Sequence, residues 1–129
     1  SYKGNLFVSF FYQIDENKFS IERVTKLNCN LVKQTLSKYI KNKINFKKPN
    51  DLLINKKKFA GILQETITKD NKKFLIVGIG INLIKSPTIK NYQTTNIFKE
   101  TKTHIPKIKL IRNILIQFKI NLKKFAMHA

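Results

Sequence analysis

The chain has few of the residues that support disulfide, zinc or nucleophilic chemistry. Its 129 residues include one cysteine and no tryptophan. The single cysteine, Cys29, cannot form an internal disulfide, which favours a reducing cytoplasm, and we expect it to pack in the core. The two histidines, His104 and His128, have no cysteine or carboxylate at ligand spacing, so we assign them no role. No zinc pattern and no Ser/His/Asp arrangement is present.

Long apolar runs are also missing. The longest apolar stretch, from Phe74 to Ile84, includes two glycines and an asparagine, and it is far shorter than the ~20 residues that a membrane helix needs. The opening residues show no charged region followed by an apolar one, so no signal peptide is expected. The chain is long enough for one domain of ordinary size.

Acidic residues are scarce: seven, against 26 basic residues, for a formal net charge of +19. A strongly basic surface is the usual sign of nucleic-acid binding. However, only Arg23 and Arg112 are arginine, the residue that such proteins favour, and the lysines are scattered along the chain. Lysine, asparagine and isoleucine all have AT-rich codons. Compositional drift and a selected basic patch therefore both stay open.

Five apolar runs bounded by polar turns are predicted to be strands. They are Leu6–Ile14, Ile44–Phe46, Leu52–Ile54, Phe59–Thr68 and Phe74–Leu83. The first is rich in aromatic and β-branched residues and is predicted to be buried. The last is apolar on both faces, which predicts a position in the middle of the sheet.

Two helices are predicted to cover this sheet. Ser20 is a plausible N-cap of the first, which extends to about Ile40. Pro106 starts the second, and its lysine-rich surface leaves a membrane-surface role as the alternative to a core cover. Its predicted apolar stripe consists of Ile108, Ile111, Leu115, Phe118, Leu122 and Phe125. The connection from Lys85 to Thr103 is predicted to run over the surface, with one irregular turn near its middle. The fold class is therefore α+β, with a mixed central sheet covered by two helices.

The stretch from Lys47 to Glu65 carries the most specific pattern. Pro49-Asn50-Asp51 has turn chemistry, Asn55 to Lys58 form a polar hairpin connection, and Gly61 lies inside the second apolar run. A glycine in mid-strand removes a side chain, so it marks a place where something approaches the backbone closely. Here we expect a ligand.

Three short motifs in this order identify a family resemblance. They are Pro49-Asn50-Asp51, Lys58-Phe59-Ala60-Gly61-Ile62-Leu63 and Gly78-Ile79-Gly80-Ile81-Asn82, with Gly4-Asn5-Leu6 ahead of them. Together they resemble the catalytic domain of biotin protein ligases, within the biotin/lipoate ligase group. The resemblance implies a class II synthetase-like core, of which residues 1–129 are the C-terminal part.

The resemblance also implies a two-step reaction. Biotin and ATP form biotinyl-AMP, normally with Mg²⁺, and a lysine of a biotin carboxyl carrier protein then takes the biotinyl group. Two anions must meet, so the site needs fixed positive charge, and the protein acts mainly by positioning and electrostatics.

The resemblance assigns Lys58 to catalysis and to biotin, as an ammonium bridging the biotin carboxylate and the α-phosphate. Without the family match, Lys58 is one of three consecutive turn lysines. Gly61 matches the glycine on which the biotin ring packs. Leu63, two residues on, lies on the same face and is predicted to line the pocket.

The nucleotide side is assigned to Asn50, Asn82 and Lys47. Asp51 is a second catalytic candidate, either to steer the incoming lysine or to hold Mg²⁺. A simple Asx-type turn is the alternative for Asn50 and Asp51.

The chain also departs from the family pattern. The resemblance places ahead of Gly4 a glycine- and arginine-rich loop, which is not among residues 1–129, and Lys48 stands where the family has tryptophan. We therefore expect the isolated chain to ligate biotin poorly, and expect either a complementing N-terminal fragment or a homodimer through the uncovered sheet edge. Lipoate ligation and a basic nucleic-acid-binding module remain the alternative functions.

Overall fold

The computed structural model describes residues 4–15 and 20–127, with side chains described as far as Asn121. The strands are β1 (Leu6–Ile14), β2 (Asn45–Lys47), β3 (Asp51–Ile54), β4 (Lys57–Lys69) and β5 (Lys72–Ile81). The helices are α1 (Ile21–Leu36), α2 (Ile97–Thr101) and α3 (Lys107–Met127). The α+β class is confirmed.

The five strands form one sheet in the order β1-β5-β4-β3-β2. All pairings between these strands are antiparallel, and the parallel character expected of a mixed sheet is limited to a single bridge between Lys58 and Thr94. β5 lies inside the sheet, as its two apolar faces predict. The prediction that β1 is buried is wrong, because β1 is an edge strand whose alternate side chains Phe7 and Phe11 are 64% and 70% exposed.

Two tight turns fix the pairing of β3 with β4 and of β4 with β5. Asn55 and Lys56 have φ values of 52° and 66°, and Asp70 and Asn71 have 53° and 62°. Two adjacent left-handed residues form a two-residue hairpin turn that matches the twist of the strands. The first hairpin connection is therefore shorter than predicted, and Lys58 lies within β4.

A β-bulge interrupts the pairing of β3 with β4. Leu52 pairs with Ala60 and Leu53 pairs with Lys58, so Phe59 is the extra residue. Side chains normally alternate between the two faces of a strand, and an extra residue reverses that alternation. The bulge therefore places Lys58 on the same face as Gly61.

Both long helices cover the same face of the sheet. The Asn113 side-chain amide of α3 donates to the Tyr39 hydroxyl just beyond α1, and Phe118 of α3 packs edge-on against Phe10 of β1 at 4.8 Å between ring centroids. Ser20 caps α1 as predicted, its hydroxyl accepting a bond from Arg23 N at 3.5 Å. Both predicted helices therefore cover the sheet, but they share one face of it. Neither α1 nor α3 covers the face that carries Gly61, which we call the open face.

The apolar stripe of α3 differs from the predicted one. Leu110, Ile114 and Phe118 are buried, whereas Ile108 is 72% exposed and Leu115 is 40% exposed. Two members of the predicted stripe pack against the core as expected, Phe118 and the partly buried Ile111. The helix carries apolar residues on more than one side, so the sequence pattern allowed more than one phase. Leu122 and Phe125 lie outside the described side chains. Among the described residues, no helix is both long and apolar enough to cross a membrane.

The connection between β5 and α3 is more structured than predicted. It contains α2, whose N-cap Asn96 accepts a bond from Lys99 N at 2.8 Å. Thr95, Asn96 and Ile97 are buried rather than on the surface. The capping asparagine was the signal that could have identified this helix.

Asn5 fastens the start of this connection to the start of β1. The Asn5 carboxamide oxygen accepts three backbone N–H bonds at 3.0–3.1 Å, from Leu83, Ile84 and Lys85. Its amide nitrogen donates to the Lys85 carbonyl at 2.9 Å. The preceding Gly4 has a φ of +92°, and a Cβ there would lie 2.2 Å from Ile84 Cδ1. The Gly4-Asn5 pair thus sets the path of the chain after β5.

We predict that Asn5→Ala destabilises the fold, because it leaves buried backbone N–H groups without an acceptor. The expected loss in the free energy of unfolding is about 1–3 kcal/mol, measured by urea denaturation. The matched control is Asn30→Ala on the exposed surface of α1, which should change stability by less than about 0.5 kcal/mol. Equal losses in the two variants would show that the Asn5 bonds are unimportant.

Candidate functional site

An open cavity of about 330 Å³ lies on the open face, where β4 and β5 meet the connection after β5. It is lined by Phe7, Asn50, Lys58, Phe59, Ala60, Gly61, Ile62, Leu63, Gly78, Gly80, Asn82, Pro87, Ile89 and Thr94. Five of the residues predicted for the site are among them: Lys58, Gly61, Leu63, Asn50 and Asn82. The three sequence motifs therefore converge on one cavity.

A second hollow, of about 490 Å³, lies beside α1 and β2. Its lining residues are Arg23, Lys26, Leu27, Cys29, Asn30, Lys33 and Phe46. None of these was predicted for the site. Burial, followed by the charge of Asp51, raises the pKa of the Cys29 thiol to about 12, so it is a packing residue, as expected. We take the cavity on the open face as the candidate site.

Lys58 and Asp51 form an ion pair at the edge of the cavity. The distance between Lys58 Nζ and Asp51 Oδ1 is 3.0 Å, and the two side chains are 31% and 12% exposed. Asp51 lies opposite Gly61 in the pairing of β3 with β4, so the bulge at Phe59 brings all three onto one face. Asp51 thus fixes the lysine ammonium, the group that the sequence predicts to be catalytic.

Gly61 leaves the room that Lys58 needs. A Cβ on Gly61 would lie 3.3 Å from Lys58 Cε and 3.4 Å from Nζ, tighter than an ordinary van der Waals contact. The lysine side chain therefore lies across the glycine to reach Asp51. Leu63 lines the cavity two residues further on and is 62% exposed.

The two candidate asparagines line the cavity but also hold the backbone together. Asn50 donates its side-chain amide to the Ile62 carbonyl at 2.7 Å, and Asn82 donates to the Thr95 carbonyl at 3.1 Å. The Asn50 side chain therefore has a structural bond to β4, which is not the Asx-type turn that was the alternative. Nucleotide contact by either residue stays a prediction.

Phe7 was missed by the sequence analysis. Its ring lies over the two glycines of β5, with Cζ 3.5 Å from the Cβ position of Gly78 and Cδ2 3.8 Å from that of Gly80. The space above these two glycines is therefore occupied by the Phe7 ring. Only the pairing of β1 with β5, distant in sequence, brings them together.

Tyr92 was also missed. Its hydroxyl donates to Asp51 Oδ2, and this bond raises the pKa of the phenol to about 12. Its ring contacts two ammonium groups, with the Lys47 Nζ 4.8 Å and the Lys58 Nζ 5.6 Å from the centroid. Lys47 thus lies beside the cavity without lining it. Tyr92 follows β5 in a stretch without periodicity, so the sequence carries no signal for it.

The residues at the cavity do not fit a metal held by the protein. Within the described part of the chain, no cluster of three or more histidine, cysteine or carboxylate groups could hold one. Both oxygens of Asp51 are already engaged by Lys58 and Tyr92. His104 stacks on Phe98 with 4.3 Å between ring centroids, and it is not among the residues that line the cavity.

The sequence pattern of the Biotin/lipoate A/B protein ligase family matches residues 1–82. This range includes all three motifs and the Gly4-Asn5 pair. The chain belongs to this family. The match ends at Asn82, so Tyr92 and the rest of the connection after β5 lie beyond it.

Solved structures agree with the family assignment. The chain is 27% identical to the biotin protein ligase from Aquifex aeolicus in complex with biotin and ATP, with a TM-score of 0.77, covering 95% of this chain and 51% of that one. The biotin-bound biotin protein ligase from Leishmania major is 20% identical, with a TM-score of 0.70 over 89% and 53% of the two chains. The lipoate-bound LipL1 of P. falciparum is 18% identical, with a TM-score of 0.64 over 94% and 35%. The last two show the fold alone. The present chain spans about half the length of the two biotin ligases.

We predict that Gly61→Ala displaces the Lys58 ammonium from Asp51, because the added methyl group would crowd Lys58 Cε and Nζ. The rate at which acetic anhydride modifies the Lys58 amine, followed by mass spectrometry of the digested chain, should rise several-fold as the ion pair weakens. Gly80→Ala is the matched control, since its added methyl group would make only ordinary contact with Phe7. An unchanged rate at Lys58 in Gly61→Ala would contradict the role given to this glycine.

Proposed function

We propose that the chain forms part of the activating site of a biotin protein ligase, which makes biotinyl-AMP from biotin and ATP. It then transfers the biotinyl group to a lysine of a biotin carboxyl carrier protein. The observation that carries the proposal is the Lys58 ammonium, fixed 3.0 Å from Asp51 at the edge of a glycine-floored cavity. The 27% identity to a ligase crystallised with biotin and ATP supports it.

The first step joins two anions. A carboxylate oxygen of biotin attacks the α-phosphorus of ATP, the bond from that phosphorus to the oxygen bridging to the β-phosphate breaks, and pyrophosphate leaves. The negative charge of both partners opposes their approach, so a fixed cation lowers the barrier. Lys58 supplies that cation, already oriented by Asp51.

The second step transfers the acyl group. The neutral amine of the carrier lysine attacks the acyl carbon of biotinyl-AMP, AMP leaves and the amine loses a proton. Asp51 serves the reaction by positioning Lys58. Direct contact of Asp51 with Mg²⁺ is not supported, since Lys58 and Tyr92 occupy its oxygens.

The apolar part of the cavity suits the ring system of biotin. Leu63 offers an exposed apolar side chain beside the ammonium, next to Gly61 on the same face of β4, and Phe7 closes the neighbouring side. Asn50, Asn82 and Lys47 remain the nucleotide-side candidates. The lipoate-bound relative, at 18% identity, supports only a shared fold.

We predict that Lys58→Gln weakens biotin binding by about tenfold or more, because a charge-assisted hydrogen bond to the carboxylate is lost. Binding is measured by isothermal titration calorimetry. The affinity for biotin methyl ester, which carries no carboxylate, should change little. Lys56→Gln, in the exposed turn two residues away, is the matched control and should bind biotin like the wild type.

Three results would contradict the proposal. Equal biotin affinities in Lys58→Gln and Lys56→Gln would remove the role of Lys58. Tighter binding of lipoate than of biotin would favour a lipoate ligase. Steeply salt-dependent DNA binding that survives the loss of Lys58, without biotin binding, would favour the nucleic-acid-binding alternative.

A further inference from the structure

Tyr92 contacts three charged side chains beside the cavity, Lys47, Asp51 and Lys58, which we call the charged cluster. None of the three sequence motifs includes Tyr92. Its segment is held against β4 by two backbone hydrogen bonds: Lys58 N donates to the Gln93 carbonyl at 3.0 Å, and Thr95 N donates to the Lys58 carbonyl at 2.8 Å. Both bonds are to the backbone of Lys58 itself. The fold therefore fixes the position of Tyr92 relative to Lys58.

The hydroxyl of Tyr92 completes the anchoring of Asp51. The Lys58 ammonium forms an ion pair with Oδ1 of the carboxylate, and the Tyr92 hydroxyl donates a hydrogen bond to Oδ2. A carboxylate held at both oxygens cannot rotate freely, so it presents the lysine ammonium in one direction. The same bond keeps the phenol protonated, since ionisation would place two negative charges side by side.

The ring of Tyr92 has a second effect, which is to offset the repulsion between the ammonium groups of Lys47 and Lys58. Lys47 and Lys58 both lie within 5.6 Å of the ring centroid, inside the distance at which the face of an aromatic ring attracts a cation. With Asp51 as the one carboxylate, the cluster retains one net positive charge. Lys47 belongs to an exposed edge strand of three residues, so without the ring little would hold its ammonium there.

We propose that Tyr92 is a positioning residue that gathers Lys47 and Lys58 into one cation pair for the phosphate chain of the nucleotide, with Asp51 as the shared anchor. The inference rests on the proposed function, because the phosphate chain is that of the substrate ATP. It goes further by naming the groups that meet the phosphates and the side chain that assembles them.

The ring and the hydroxyl can be tested separately. Tyr92→Phe keeps the ring that contacts both ammonium groups and removes the bond to Asp51. Tyr92→Leu removes both interactions. Tyr39→Phe is the matched control, because it removes a hydroxyl that is hydrogen-bonded to Asn113 of α3, away from the cavity.

We predict that Tyr92→Leu weakens binding of inorganic tripolyphosphate to the 129-residue chain by about tenfold, and Tyr92→Phe by about threefold. Lys47→Gln should cost about as much as Tyr92→Leu. The double variant should lose little more than either single variant, because both changes remove the same cation from the site. Calorimetry at fixed ionic strength measures these affinities, and urea denaturation checks that each variant is folded.

The titration of Tyr92 tests its link to Asp51 without any ligand. Tyrosine labelled with ¹³C at Cζ gives one signal per residue, and the signal missing in Tyr92→Phe identifies Tyr92. Its pKa should be about 12 in the wild type and should fall toward 10 in Asp51→Asn. Because the folded-state pKa is raised, the stabilisation from this bond is complete below pH 10 and is lost as the pH rises through 12. The stability gap between wild type and Tyr92→Phe should therefore close over that range.

The two readouts separate failure of this inference from failure of the proposed function. An unchanged Tyr92 titration in Asp51→Asn, wild-type tripolyphosphate affinity in Tyr92→Leu, or losses that multiply in the double variant would each overturn the role of Tyr92. Biotin binding that depends on Lys58 would stand in all three cases. If the biotin-binding test contradicted the ligase proposal, the predicted effect of Asp51→Asn on the titration of Tyr92 would still hold.

Discussion

The bulge at Phe59 is the constraint on which the site depends. Residues three apart on a regular strand point to opposite faces, so without the extra residue Lys58 and Gly61 could not meet. The lysine would instead point toward the helix-covered face, where burying an unpaired ammonium is costly. With the bulge, Lys58 reaches Asp51 across Gly61 on the open face. One irregularity in the pairing thus converts a packing strand into a strand that carries a fixed charge.

Charge at this site is organised by one of the chain's rare acidic residues. With a formal charge of +19, most lysines repel their neighbours and remain solvated, so their number says little about function. Lys58 differs because Asp51 pairs with it and is itself largely buried. A scattered excess of lysine is therefore compatible with compositional drift, whereas a lysine with a dedicated, doubly held carboxylate is a built arrangement.

The sequence predicted the parts of the site that local motifs encode, and missed those that depend on distant contacts. The hairpins and the Ser20 cap follow from patterns a few residues long, and the resemblance of three short motifs to the family implied the convergence of Lys58, Gly61 and Asn82. Tyr92 donates a hydrogen bond to Asp51, which lies 41 positions away in the sequence. No local sequence pattern predicts this contact. The arrangement of the helices on the sheet could not be predicted for a different reason. The side chains of β1 alternate in burial although its sequence is almost uniformly apolar, and α3 has two apolar sides. Neither sequence pattern therefore indicates which face of the sheet the helices cover.

The chain's glycines show how closely the site and the fold are connected. There are only four, and three of them, Gly61, Gly78 and Gly80, line the cavity. Gly61 makes room for a lysine, Gly78 and Gly80 make room for the Phe7 ring, and Gly4 provides the left-handed turn that lets Asn5 hold the chain after β5. At the three cavity glycines, the side chain that a Cβ would approach is Lys58 or Phe7, and both of these line the cavity. In a composition so poor in glycine, this placement is better explained by the needs of the site than by those of strand formation, which glycine weakens.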